Sequence, residues 1–95
     1  LVAGMIISNE PGYYKTGEYG IRIENLVAVC KREGAFLGFE TLTCVPIDTR
    51  LVDVSMLSLD EKKWLNDYHA WVFSQQEKGS SDADRTWLEA RCAAI

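Results

Sequence analysis

The sequence predicts an α+β chain, an antiparallel β-meander followed by two C-terminal helices. Two observations carry this. Up to about residue 54, β-branched and aromatic residues come in short runs cut by glycine and proline, the pattern of strands and turns. From Ser58 the apolar period becomes 3.6, the pattern of amphipathic helices. Strands are therefore expected within about 5–54, and helices over about 59–78 and 82–94.

Residues 5–10 read as a buried, isoleucine-rich strand that ends where Pro11 forces Glu10 into an extended conformation. Pro11-Gly12 is turn chemistry, and Gly17 and Gly20 punctuate a tyrosine-rich loop. Residues 20–31 form a second strand. Alternation sets Ile21, Ile23, Val27 and Val29 on one face, and Arg22, Glu24, Leu26, Ala28 and Cys30 on the other. The charges occupy one end of an otherwise apolar face, so a polar site let into a core is expected.

Glu33-Gly34 is a tight turn, and residues 35–47 a third strand, where Gly38 marks a bulge or a close backbone approach. Residues 51–54 are an extended stretch or the packed approach to the helices. Ser58-Leu59-Asp60-Glu61 matches a capping box. Trp64, Leu65, Tyr68, Trp71 and Val72 then make one apolar stripe, and Gly79 stops the helix. Ser80-Ser81-Asp82 starts the second helix, with Trp87, Leu88, Arg91, Cys92 and Ile95 on one side.

Composition narrows the functional classes. Of 95 residues, 47% are hydrophobic and 25% charged, the balance of a globular chain. A net charge of −4 without a basic stripe argues against nucleic acid. No apolar run approaches the roughly 20 residues that span a bilayer. Three separated cysteines lack zinc-site spacing and suit reduced thiols in the cytoplasm. Leu1-Val2-Ala3-Gly4 opens without a methionine and turns strand-like at once, so a stretch from within a longer protein is expected.

Glu10 and Glu24 are the informative pair. If the connection folds back symmetrically about Gly17, they face each other on neighbouring antiparallel strands. Like charges across a ladder are destabilising, and buried unpaired carboxylates more so. Such a pair needs a cation, a shared proton or several hydrogen bonds, and a hard divalent metal is the favoured reading. Arg22, two residues before Glu24, either forms a simple salt bridge or balances charge at the site. Tyr14 is either a packing anchor or a phenol donor to a developing oxyanion. His69, the only histidine, reads as a structural or surface residue.

Asn9-Glu10-Pro11-Gly12-Tyr13-Tyr14, followed by Gly20-Ile21-Arg22-Ile23-Glu24-Asn25, resembles the Xaa-Pro aminopeptidases (aminopeptidase P), metallopeptidases of the pita-bread fold. Phe36-Leu37-Gly38-Phe39-Glu40-Thr41-Leu42-Thr43 looks like that family's next strand, and Trp64-Leu65-Asn66-Asp67-Tyr68-His69 like the C-terminal helix of its cytosolic three-domain branch. The resemblance implies that residues 1–95 are the C-terminal portion of the catalytic domain. It implies that Glu10 binds one of two Mn²⁺ ions and passes a proton, that Glu24 bridges both, and that Arg22 and Tyr14 belong to the supporting network. Peptides with proline in second place are the implied substrates, and a homodimer through the C-terminal region the implied assembly. The family's other ligands, two aspartates and a histidine, lie earlier in the chain and have no counterpart here. The 95 residues alone are thus expected to bind metal poorly and to be inactive. A prolidase-like or creatinase-like enzyme and a non-catalytic pita-bread scaffold are the alternatives.

Overall fold

The structure, a computed structural model, describes residues 1–95, which divide into two units, Leu1–Thr43 and Cys44–Ile95. The first holds five strands: β1 (Ile6–Asn9), β2 (Gly12–Lys15), β3 (Tyr19–Arg22), β4 (Asn25–Lys31) and β5 (Leu37–Thr41). They form an antiparallel three-stranded sheet, in the order β1-β4-β5, and a β2-β3 ribbon. The expected meander is present, with a hairpin standing where an irregular loop was expected.

That hairpin turns through Thr16-Gly17-Glu18, where Gly17 takes the left-handed φ of 73° that other residues avoid. The Glu18 amide donates to the Lys15 carbonyl at 3.0 Å, and the Lys15 ammonium pairs with the Glu18 carboxylate at 2.9 Å.

The expected single strand over 20–31 is divided at Ile23-Glu24. The cause lies on the opposite arm. Ile23 donates its amide to the Pro11 carbonyl at 3.2 Å, but proline has no N–H to return the bond, so the ladder lapses there. Val27 and Val29 of β4 form the buried face of this unit, Val29 at 2% exposure. The other face is more open than expected, because Leu26 is exposed and Ala28 and Cys30 are half-buried.

The third strand is shorter than expected and unbulged. It pairs residue for residue from Val27↔Thr41 to Lys31↔Leu37. Gly38 instead marks a close approach: the Arg32 side chain crosses it, donating to the Phe39 carbonyl at 3.2 Å. No strand follows Thr41. Pro46 removes a ladder donor, while Asp48 and Asp53 each accept the amide two residues ahead at 3.0 Å. These local bonds set up short 3-10 turns at Thr49–Leu51 and Val54–Met56, so the stretch at 51–54 is not a strand.

The second unit is built on α1 (Leu59–Gln76) and α2 (Asp82–Arg91). The capping box closes as expected. The Ser58 hydroxyl accepts from the Glu61 amide at 3.2 Å, and the Glu61 carboxylate accepts from the Ser58 amide at 2.8 Å. A 3-10 turn at Glu77–Gly79 finishes the first helix, and the Ser81 hydroxyl caps the second through the Asp84 amide. Tyr68, Val72 and Leu88 form the core, with Cys44, Ile47, Trp71, Phe73 and Cys92 packed around it. The two apolar stripes are only partly buried, since Trp64 and Trp87 are more than half exposed. The Asn66 side-chain amide holds Ile95 from both sides, donating to its carbonyl and accepting its N–H. No helix is long and apolar enough to cross a membrane.

Candidate metal centre

The hairpin register builds the site. Gly12 pairs with Arg22 and Tyr14 with Gly20, while Asn9 pairs with Asn25 on the far side of the lapse. Continuing that register inward sets Glu10 opposite Glu24 and Pro11 opposite Ile23, where the bond between these two confirms the alignment. Side chains of alternate residues share a face. One face therefore carries three cross-strand pairs in succession: Glu10 with Glu24, Gly12 with Arg22, and Tyr14 with Gly20. The opposite face carries the tyrosines Tyr13 and Tyr19, whose rings lie 6.1 Å apart.

Arg22 is the hub of the first face. Its Nε lies 3.3 Å from the Glu24 carboxylate. The Tyr14 hydroxyl, hydrogen-bonded to the guanidinium, holds it above its ordinary pKa, followed by the negative charges of Glu24 and Glu10. The other three residues singled out from the sequence thus all act on Arg22. The guanidinium stays charged and offsets part of the carboxylate repulsion.

One expectation is corrected. The carboxylates are not enclosed: Glu10 and Glu24 are both exposed, as are Arg22 and Tyr14. The face on which they stand has no apolar layer over it within Leu1–Thr43, since every residue of β2 and β3 is exposed. In water the pair is tolerated without a partner at modest cost, because screening weakens repulsion between exposed charges.

The donor set fits a hard divalent ion in kind but not in number. Carboxylate oxygens suit Mn²⁺ or Mg²⁺, yet no group of three or more His, Cys, Asp or Glu side chains able to hold a metal occurs in the chain. His69 belongs to the other unit and is fully buried there, its Nε2 accepting the Ile47 amide at 3.1 Å. Sequence reasoning missed the two glycines that flank the Tyr14 ring. Their signal was the cross-strand placement of Gly20 opposite Tyr14.

The chain belongs to the M24 metallopeptidases. Residues 1–31 match metallopeptidase family M24, and residues 35–95 match the C-terminal region of the same peptidases. Among its relatives are a probable Xaa-Pro aminopeptidase P of Coprinopsis cinerea, 51% identical over 79% of this chain and 13% of that protein, and aminopeptidase P2 of Arabidopsis thaliana, 47% identical over 93% and 14%. The chain also superposes on the X-prolyl aminopeptidase of Caenorhabditis elegans, described as a cytosolic enzyme with a di-nuclear active site. That match has a TM-score of 0.86 and 38% identity, and covers 100% of this chain and 17% of that one. The chain thus spans less than a fifth of the length of these relatives.

Proposed function

We propose that this chain is the C-terminal portion of the catalytic domain of a metal-dependent Xaa-Pro aminopeptidase, which removes the N-terminal residue of peptides with proline in second place. The observation that carries the reading is the single hairpin face on which Glu10, Glu24, Arg22 and Tyr14 meet. Glu10 would hold a metal ion and would accept and pass on a proton. Glu24, on the opposite strand, would hold the ions together with Glu10. Arg22 orients Glu24 and balances charge. Tyr14 aims its phenol at the oxygen on which negative charge develops during cleavage. Two divalent ions, Mn²⁺ in our reading, when bound lower the pKa of a shared water and polarise the scissile carbonyl. The bond before proline has no N–H, so recognition rests on the carbonyl oxygen and the free N-terminal amine. The remaining metal ligands come from parts of the protein outside these 95 residues.

Three free cysteines and the cytosolic X-prolyl relative support a cytoplasmic setting, and the exposed Trp64 and Trp87 support self-association through the helical unit. Glu24→Gln in the full-length protein tests the mechanism. Activity on an X-Pro peptide should fall at least about a hundredfold, more than loss of a mere outer-shell partner. Bound metal should drop while the circular dichroism spectrum is kept. Full activity after Glu10→Gln and Glu24→Gln together would overturn the reading, as would Mn²⁺-dependent cleavage by the 95-residue chain alone.

A further inference from the structure

We propose that Gly20 and Gly12 are positioning residues: together they form a side-chain-free cradle in which the Tyr14 ring lies, so that its phenol is presented to Arg22. This inference rests on the role given to Tyr14 above.

The geometry is direct. A Cβ built on Gly20 stands 2.6 Å from Cδ1 and 3.1 Å from Cε1 of Tyr14. A Cβ on Gly12 stands 2.8 Å from the Tyr14 hydroxyl oxygen, 3.0 Å from Cζ and 3.0 Å from the Ile21 carbonyl oxygen. Carbon atoms in good contact lie about 3.5–4.0 Å apart, so a methyl group at either position excludes the ring from where it lies. One glycine sits beneath the ring edge and the other beneath the hydroxyl. Their register explains why: Gly20 is directly across from Tyr14, and Gly12 is two residues before it on the same face.

Backbone conformation does not account for these glycines. The glycines with positive φ are Gly4, Gly17 and Gly34; Gly12 and Gly20 are not among them. Glycine inside a strand weakens it, so two of them on one face of a short ribbon call for another reason. Space for the tyrosine supplies it. A ring laid flat across two backbones has its torsions fixed by contact, and the phenol oxygen ends beside the guanidinium that also holds Glu24. Without the cradle the ring must stand off the strands, and its hydroxyl leaves Arg22.

The test is a double-mutant cycle in the full-length, metal-loaded protein, comparing Gly20→Ala, Tyr14→Phe and the two together. Gly20→Ala should lower kcat about a hundredfold, as a misplacement near 1 Å does, with KM and metal content unchanged. Tyr14→Phe should lower kcat similarly, and adding Gly20→Ala to it should cost nothing further. Wild-type kcat in Gly20→Ala beside an impaired Tyr14→Phe overturns the cradle and leaves the proposed function standing. So do single effects that simply multiply in the double variant. An unimpaired Tyr14→Phe overturns the role of the phenol, and the cradle with it. Should Gly20→Ala fail to fold, Tyr14→Ala with Gly20→Ala decides: removing the ring should restore folding, and persistent unfolding overturns the proposal.

Discussion

His69 shows how one side chain can carry a pH dependence. Its ring is wholly enclosed and its Nε2 accepts the Ile47 amide, so in the neutral form the proton sits on Nδ1, which has no partner. Burial pushes its pKa below the ordinary histidine value. The folded chain therefore takes up a second ring proton, on Nε2, less readily than the unfolded one. Stability conferred by neutral His69 is complete above the unfolded value of about 6.5 and is lost as pH falls through that value toward the lower folded one. The unfolding temperature of the chain should hold steady between about pH 8 and 7 and decline toward about pH 5. His69→Gln should flatten that decline, and an unchanged slope would count against the assignment. Asp53, held low by its bond from the Ser55 hydroxyl, and Glu61, held low by the Ser58 amide, titrate in a separate, more acidic window.

Among the elements, α1 depends most on chemistry that can be read locally. Ser58 and Glu61 satisfy two amides that a helix start leaves orphaned. Ser58→Ala should lower unfolding stability by about 1 kcal/mol, measurable as a shift in denaturant midpoint without a change in slope. Both helix starts were legible because the capping partners are three residues apart. The strands were less so. Gly12 to Tyr19 lacks apolar alternation and reads as a loop, yet with Gly20-Ile21-Arg22 it pairs as a ribbon because backbone groups and one left-handed glycine suffice. The break at Ile23-Glu24 has its origin at Pro11, across the ladder and invisible from within the segment. The third strand stops at Thr41, since the Leu26 amide on the neighbouring strand donates to the Thr43 hydroxyl at 2.7 Å and not to a backbone carbonyl.

For the molecule as a whole, the facing of Glu10 and Glu24 was legible because register follows from symmetry about the turn. Their exposure was not, because burial depends on what lies over a face, and a strand's own pattern describes only the strand. Exposed large apolar residues occur along both units, among them Ile6, Phe36 and Phe39 in the first and Leu51, Met56, Leu59, Trp64 and Trp87 in the second. β5 also leaves one edge unpaired. Exposed apolar surface and open edges both promote self-association. The isolated chain should therefore sediment with a mass that rises with concentration, and a monomer throughout the range would contradict this. The hairpin arms have a consequence for length variation. Removing one residue between Glu10 and Tyr14, or between Gly20 and Glu24, inverts the sidedness of everything beyond it. Removing two preserves it, and extra residues at Thr16-Gly17-Glu18 merely widen the bend. Sidedness here is thus a question of parity, untouched at the tip and kept by even steps along the shanks, while the cross-strand partners survive only when both shanks change by the same number.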